Sequence, residues 1–454
     1  MAELEKVGIP TVTYVAKDFL KDWQHSAPVF GVRDLPHVIV PNPFIGLEAS
    51  DIHPHVEATF DSLLKRLQEP AIPSAKESGS APSTAAPPAD VITLDGEDSY
   101  QAFIRMNRMF LDEGWGDGFP VWAPTREAVD AMLAGTRKTP DHVMAILAPG
   151  FGTATVEKIA INAVMAGCRP EHMPLLLAAI EAISDPRFML RNVAMSTGSH
   201  APFMLVNGPV VKKLGINSGR CALGPGALSQ INTVLGRAIR LFYMNLGHAY
   251  PGVMDMDTLG TPNKYSMCLA ENTEDSPWEP YHVEKGFDLN DSVVTMGSTY
   301  ALCEVDDHTG TTPEAVLNVA CATACNQGVK SVGFWLLGQR GDPLAGVQAK
   351  DKHFLLVCPV HAAIFKKAAW SKQQIRDYLY KHARIPFGRF MANKEPATFR
   401  SSHPKLQWLW GSPDTLMPVL ETVDCFEIVV AGASGGRSAY SYGAAEPISK
   451  RIEE

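Results

Sequence analysis

The chain has 454 residues, of which 46% are hydrophobic and 20% are charged, and its formal net charge is -9 at pH 7. This length allows two or three domains, and the acidic balance argues against a nucleic-acid partner, because nucleic-acid-binding surfaces are usually basic. No uninterrupted run of about 18 apolar residues occurs, so the sequence predicts neither a transmembrane helix nor a membrane partner.

The N-terminus and the cysteines indicate the compartment. The sequence MAELEKVGIP lacks the apolar stretch of a secretory signal peptide. The eight cysteines include no CxxC pair and lie mostly in apolar contexts such as VACATAC and LLVCPV. These features predict a cytoplasmic protein with reduced thiols, most of which are small core residues.

Residues 1–69 alternate between strand-like and helix-like segments. TVTYVA and HVIVP have strand character, whereas DFLKDWQ and residues 52–67 have helical character. This alternation predicts a small βαβα unit with a parallel sheet. Residues 70–92 are rich in Pro, Ala and Ser, a composition that buries too little apolar surface to offset its ordering entropy, so they are a predicted disordered linker.

Residues 93–454 continue the alternation and form a predicted large α/β domain. Thr125, Thr312 and Ser371 directly precede helical patterns and are predicted N-caps. TVEKIAINAVMAGC and TPEAVLNVACATAC both begin with Thr-x-Glu and both place a Cys thirteen residues after the Thr, at Cys168 and Cys325. The match favours two similar halves, although chance similarity explains it nearly as well.

Gly-rich turns and one helix supply the predicted substrate-binding residues. Gly lets backbone N–H groups approach an anionic group, so polar side chains within these turns are candidates. An Arg on the helix over 231–246 would bind a carboxylate if it were buried beside the ligand. The predicted substrate-binding residues are Asp117, His200, Asn207, Asn217 and Arg237.

The segment 259–286, LGTPNKYSMCLAENTEDSPWEPYHVEKG, supplies the predicted catalytic residues. Acid–base catalysis needs groups of different pKa brought close together. We predict Glu271 or Glu274 as the base, His282 as the acid, and Cys268 as a thiol that orients or attacks the substrate. The alternative for each carboxylate is an ordinary solvated surface residue.

A second Gly/Ser turn follows the strand FEIVVAG near the C-terminus. GASGGRSA can present backbone N–H groups and Ser434 or Ser438 to an anionic group. It does not match GxSxG, so we predict no hydrolase nucleophile elbow. His361, which follows Pro359, either faces the same cavity or caps its own helix.

These features favour an enzyme that breaks or rearranges a carbon–heteroatom bond in a small carboxylated or sulfur-containing metabolite, as a lyase or hydratase does. A thiol-dependent oxidoreductase is the first alternative, and it needs a resolving Cys within disulfide reach of Cys268. A non-catalytic scaffold or partner-binding protein is the second, and a homo-oligomer fits each reading. No cofactor is predicted. A metal site would need three residues to converge from the set Cys268, His282, His200, Glu271 and His308.

Two parts of the sequence resemble known families. GIPTVTYVAKDF followed by LPHVIVPNPFIGL is similar to the C-terminal part of the UGSC-type family, small thiol or selenol proteins named after a Sec/Cys-Gly-Ser-Cys motif. The large domain resembles a companion family often encoded as a separate protein, through GDGFPVWAPT, VNGPVVKKLGINSG, CLAENTEDSPWEP and CPVHAAIFKKAAWSKQQIRDYL. The chain has no UGSC or CGSC tetrapeptide and no Cys before Cys168. The resemblance therefore implies a fused UGSC-like domain without its redox motif, which stabilises or gates the larger domain.

Overall fold

The computed structural model describes residues 4–5, 7–20, 23–24, 27, 32–41, 49–68, 72–73, 91–336, 347–391, 409, 411–443 and 445–453. The fold is mixed α/β, as the sequence predicts. The chain divides into two compact units. The first comprises Met1–Thr84, Pro251–Met256 and Ile385–Met417, and the second comprises Ala85–Tyr250, Asp257–Arg384 and Pro418–Glu454.

The strands of the described residues are numbered β1 to β15 in chain order. They are Thr13–Ala16, Val32–Asp34, His37–Val40, Ile72–Pro73, Val143–Leu147, Gly152–Thr155, Ala201–Asn207, Cys268–Ala270, Val293–Asp306, His353–Val357, Arg384–Pro386, Leu416–Pro418, Phe426–Val430, Arg437–Gly443 and Ile448–Arg451.

The α-helices of the described residues are identified by their bounds. They are Ala49–Leu67, Ser99–Asp112, Arg126–Leu133, Val156–Ala166, Met173–Ile183, Leu190–Ala194, Val210–Leu214, Gln230–Asn245, Tyr281–Glu284, Pro313–Cys325, Gly328–Leu336, Pro359–Lys367, Lys372–His382 and Phe387–Met391. None of the helices in this part of the chain is both long and apolar enough to cross a membrane.

The first unit contains the predicted parallel strand pair. β1 and β3 pair in parallel from Thr13 with His37 to Ala16 with Val40, and the helix Ala49–Leu67 packs on β3. A short 3-10 helix over Lys17–Phe19 begins the segment predicted as the first helix, and residues 21–22 of that segment lie outside the described residues. The predicted linker contains β4, and its residues 70–71 and 74–90 lie outside the described residues.

The second unit is built on a seven-stranded mixed sheet. Its strand order is β13-β10-β14-β9-β7-β8, with β15 also paired to β9. β7 pairs in parallel with β8, and β10 pairs in parallel with β13, whereas the other pairs are antiparallel. Helices connect the strands of each parallel pair, because parallel neighbours need a crossover connection.

The strand order repeats one pattern twice. In each half, α-helices precede a strand, further helices lead to its parallel neighbour, and a longer strand returns antiparallel to the first. These strands are β7, β8 and β9 in the first half and β10, β13 and β14 in the second, and β9 pairs with β14 at the centre. The hydroxyls of Thr155 and Thr312 cap equivalent helices by accepting the N–H groups of Lys158 and Ala315. The strand order and the caps therefore agree with the two similar halves predicted from the sequence.

The sheet curls until its two ends approach. Apolar side chains from the outer strands pack into one cluster that includes Leu205, Leu269, Phe354 and Val429. At the edge, the N–H of Asn272 donates to the carbonyl of Val430 over 2.8 Å, and its side-chain amide donates to the carbonyl of Gly432 over 3.2 Å. The turn at residues 217–218 lies between them, since its carbonyls accept the N–H groups of Ala270 and Gly432. The carboxyl ends of β8 and β13 therefore lie side by side.

Candidate functional site

Cys358 occupies the junction between β10 and the helix Pro359–Lys367. It is the N-cap residue of that helix, with φ -72° and ψ 156°, and Pro359 fills the first helical position. Pro is well suited to this position, because its missing N–H would have no intrahelical partner and its φ is already helical. The helix therefore begins at the thiol and places His361 in its first turn, and both side chains are at most 2% exposed.

Ser438 connects the backbone of Cys358 to the ring of His361. The Cys358 N–H donates to Ser438 Oγ over 2.9 Å, and the same oxygen lies 2.7 Å from His361 Nδ1. On the other side of the ring, His361 Nε2 lies 2.9 Å from the carbonyl oxygen of Asp307. A carbonyl only accepts, so Nε2 carries a proton and Nδ1 faces Ser438 and the thiol.

The surroundings shift the pKa values of Cys358 and His361 in opposite directions. Burial raises the pKa of the Cys358 thiol, but the ring and backbone N–H of His361 and the Ser438 hydroxyl lower it more, to about 7. Burial lowers the pKa of His361, but hydrogen bonds to Cys358 and the Asp307 carbonyl raise it more, so its net shift is upward. The two shifts favour a thiolate–imidazolium pair, which is the form of a nucleophilic cysteine.

The pKa values of the other buried thiols are shifted upward, opposite to that of Cys358. Burial raises the pKa values of Cys168, Cys268 and Cys425, and it raises that of Cys321 to about 12. Cys268, one of the predicted catalytic residues, belongs to the apolar cluster formed with the helices Val156–Ala166 and Gln230–Asn245. Cys358 is therefore the better candidate nucleophile.

Gly436 lets the Gly/Ser turn approach the backbone that holds His361. Its φ is +64°, and a Cβ there would lie 3.0 Å from the carbonyl oxygen of Asp307 and 2.8 Å from the ring of His308. The Asp307 N–H donates to the Gly436 carbonyl over 3.1 Å. Only glycine fits this backbone conformation and this spacing without strain.

A second polar cluster lies at the carboxyl ends of β7 and β8. The side-chain amide of Asn207 and the N–H of Tyr281 both donate to Glu271 Oε2, the latter over 2.7 Å. Burial raises the pKa of Glu271, while Lys372, the Tyr281 N–H and Asn207 offset part of that rise. His282 follows Tyr281 in the next helix, and its Nε2 lies 3.3 Å from the Leu289 carbonyl. The structure thus brings together three of the predicted site residues, Asn207, Glu271 and His282, whereas Glu274 lies exposed on the surface.

The other predicted substrate-binding residues have protein partners. Arg237 forms a bidentate ion pair with Asp117, at 2.7 and 2.8 Å. It also donates to the carbonyls of Phe119 and Pro120 in the same loop. The Asn217 side chain bonds within its own turn and to Ser229. His200 is buried with its ring edge against Tyr300, at 5.6 Å between centroids. Within the described residues, no three His, Cys, Asp or Glu side chains form a metal-ligand set.

The second unit is therefore a mixed α/β fold with a buried Cys–His pair at the junction of β10 and its following helix. The second polar cluster lies at the equivalent strand ends of the other half. Cys358 is not among the site residues predicted from the sequence. The signal that could have found it is Cys-Pro-x-His directly after a buried strand, which places a thiol and an imidazole in the first turn of a helix.

Residues 2–69 match the model of the UGSC family, in agreement with the resemblance noted in that segment. Comparison with curated proteins and with solved structures found no significant match.

Proposed function

We propose that the protein is an enzyme that cleaves a carbon–heteroatom bond in a small carboxylated or sulfur-containing metabolite, with Cys358 as the nucleophile. The observation that carries the proposal is the hydrogen-bonded set of Cys358, Ser438 and His361 at a helix N-terminus. A neutral thiol is a weak nucleophile, and an adjacent imidazole is a common means of activating it.

The reaction proceeds through two balanced steps. The Cys358 thiolate attacks an electrophilic carbon, a carbon–sulfur bond forms, the carbon–heteroatom bond breaks, and the departing heteroatom takes the Nδ1 proton of His361. Neutral His361 then takes a proton from water, whose oxygen replaces the sulfur on carbon and regenerates the thiolate. Ser438 is a positioning residue in this scheme, because it fixes the ring without contacting the reacting carbon.

The surroundings of Cys358 suit a substrate that carries a negative charge. The helix Pro359–Lys367 presents the positive end of its dipole at the thiol. A positive partial charge at this position attracts the carboxylate of a substrate. It also stabilises the negatively charged thiolate of Cys358.

The proposal is tested by limiting alkylation with iodoacetamide, followed by mass spectrometry of all eight cysteines. We expect Cys358 to be labelled ahead of the buried Cys268 and at a lower pH than the exposed Cys221, which serves as the internal reference. The variant C358S removes that label and leaves the others. Labelling of Cys358 no faster than that of Cys268 would refute the nucleophile assignment.

Acid–base elimination or hydration through Glu271 and His282 is the second candidate. It is favoured by one observation: Glu271 Oε1 and His282 Nδ1 are buried and have no hydrogen-bond partner among the described residues. Once a substrate has been identified, this mechanism predicts that the C358S variant keeps its activity and that the E271Q variant loses it.

The N-terminal segment has a supporting role in the proposal. We propose that it is a UGSC-like domain fused to a companion domain and that it stabilises or gates that domain. Support comes from the family match over residues 2–69 and from the sequence, which contains no UGSC or CGSC tetrapeptide. Deletion of residues 1–69 should then change the thermal stability of the remaining chain or the rate at which Cys358 is alkylated, and no change in either would refute this role.

A further inference from the structure

The repeat within the sheet relates Asn207 to Cys358. In the parallel pairs, Val206 lies beside Ala270 and Val357 lies beside Val430. The next residues along the chain are Asn207 and Glu271 in the first half, and Cys358 and Ala431 in the second. Where one half carries a candidate nucleophile, the other half therefore carries a buried amide and a buried carboxyl.

Three polar atoms of this first-half cluster have no partner among the described residues. They are Asn207 Oδ1, Glu271 Oε1 and His282 Nδ1, and the three residues are 1%, 3% and 1% exposed, respectively. Buried polar atoms nearly always have a hydrogen-bond partner, so three such atoms on Asn207, on the Glu271 that it contacts and on the neighbour of Tyr281 require a bound group or a buried water.

All three atoms are hydrogen-bond acceptors. The side-chain amide of Asn207 and the backbone N–H of Tyr281 both donate to Glu271 Oε2, which leaves Oε1 free to accept. His282 Nε2 faces the Leu289 carbonyl and so carries a proton, which leaves Nδ1 as the acceptor in the neutral tautomer of the ring. The complementary ligand group must therefore be a donor.

We propose that Asn207, Glu271 and His282 bind the primary ammonium group of a small molecule. An ammonium has three donors, no acceptor and a positive charge, which matches three acceptors that include one carboxylate. A carboxylate or phosphate would repel Glu271, and a hydroxyl offers only one donor. If the proposed function is correct and this ligand is the substrate, the substrate is an amino compound. This last step rests on the proposed function.

Protonation of Glu271 gives the binding a measurable signature. Burial and the nearby Glu284 raise the pKa of this carboxyl, Lys372 lowers it in part, and a bound ammonium stabilises the ionised form further. Binding should therefore release protons as the pH approaches the raised pKa, and the affinity for an ammonium should fall as the pH is lowered.

Methylammonium chloride is the probe, with tetramethylammonium chloride at the same ionic strength as the control that has no N–H donor. Calorimetric titration of the full chain in two buffers of different ionisation enthalpy measures both affinity and proton release. We expect methylammonium to bind and E271Q to weaken binding by roughly tenfold to a hundredfold, the usual worth of a hydrogen bond to a charged group. E274Q, at an exposed carboxylate of the same segment, should bind like the unmodified chain.

E271D keeps the charge and retracts it by one methylene, so an intermediate affinity is expected even if E271Q folds poorly. The proposal is overturned if methylammonium does not bind, if tetramethylammonium binds equally well, or if E271Q binds as tightly as E274Q. The alkylation rate of Cys358 is measured on the same samples. If methylammonium does not bind but Cys358 is still alkylated fast, only the ammonium site is rejected. If methylammonium binds but Cys358 is alkylated slowly, only the nucleophile is rejected.

Discussion

His361 Nε2 lies 2.9 Å from the backbone carbonyl oxygen of Asp307, 54 residues away in the chain. This hydrogen bond fixes the proton on Nε2 and turns Nδ1 toward Ser438 and Cys358. The side chain of Asp307 in turn accepts the N–H groups of Thr309 and Gly310, at 3.0 and 2.7 Å, which orders the loop that presents the carbonyl. The ring is thus held by backbone groups on one side and by a hydroxyl on the other.

The alkylation rate of Cys358 should depend on pH with a midpoint near the pKa of its thiol, about 7. The thiolate is the reactive form, and the folded pKa lies below the ordinary value of 9.0, so the rate rises as pH increases through about 7. H361Q removes the ring that lowers this pKa, so the midpoint should move toward higher pH. A profile that is the same in H361Q and in the unmodified chain would contradict the Cys–His pair.

Ser438→Ala should slow the alkylation of Cys358 at pH 7 by several-fold and raise the midpoint of its pH profile. The substitution removes an oxygen that accepts from the Cys358 N–H and contacts His361 Nδ1. Ser434→Ala is the matched control, because Ser434 lies exposed in the same turn. Equal pH profiles for the two variants would show that Ser438 does not position the ring, whereas a merely structural role would lower stability without moving the midpoint.

Local signals allowed the elements and several caps to be predicted from the sequence. Thr125, Thr312 and Ser371 accept the backbone N–H groups predicted for N-caps, because capping depends on residues only three positions apart. The parallel pairing of β1 with β3 also followed from the alternation of strands and helices in residues 1–69. The curl of the sheet could not be predicted in this way, because it depends on contacts between its two ends.

The candidate nucleophile Cys358 was missed for a similar reason. In the sequence, LLVCPV indicates a buried strand with a small apolar residue. The features that lower the pKa of Cys358 include Ser438, which is 80 residues away along the chain. Asn207, Glu271 and His282 were selected because polar residues stood out in unusual segments, and the fold brings those segments together.

The pair formed by Asp117 and Arg237 should couple in a double-mutant cycle built from D117N and R237Q. Both side chains are largely buried, at 2% and 14% exposed, and the two-pronged geometry favours a coupling of about 1–3 kcal/mol in the free energy of unfolding. Arg126 and Glu157 form the control pair, with the Arg side chain 49% exposed and an expected coupling of roughly 0.2–1 kcal/mol. Urea denaturation of the single and double variants measures the coupling energies of both pairs.

Asp117 and Arg237 are predicted substrate-binding residues, and the double-mutant cycle separates that role from a structural one. If the pair only anchors the loop, D117N leaves the methylammonium affinity and the Cys358 alkylation rate unaltered while it lowers stability. A coupling no larger than that of the exposed pair would contradict the structural role.

Glu427→Gln should lower the free energy of unfolding by about 3–5 kcal/mol, the usual cost of removing one partner from a buried charge cluster. The Glu427 side chain is 1% exposed and lies 2.8 Å from Lys285, 3.2 Å from Lys352 and 3.9 Å from Arg376. Without the carboxylate, the three cations lose their shared partner, although Arg376 keeps its ion pair with Glu284 and Glu446 still attracts Lys352. Glu421→Gln, at an exposed carboxylate, should change the free energy of unfolding by no more than about 0.5 kcal/mol. Urea denaturation of both variants measures the difference. Equal midpoints would mean that the cations of this cluster are already solvated and that Glu427 contributes little to holding the helix Lys372–His382 against β13.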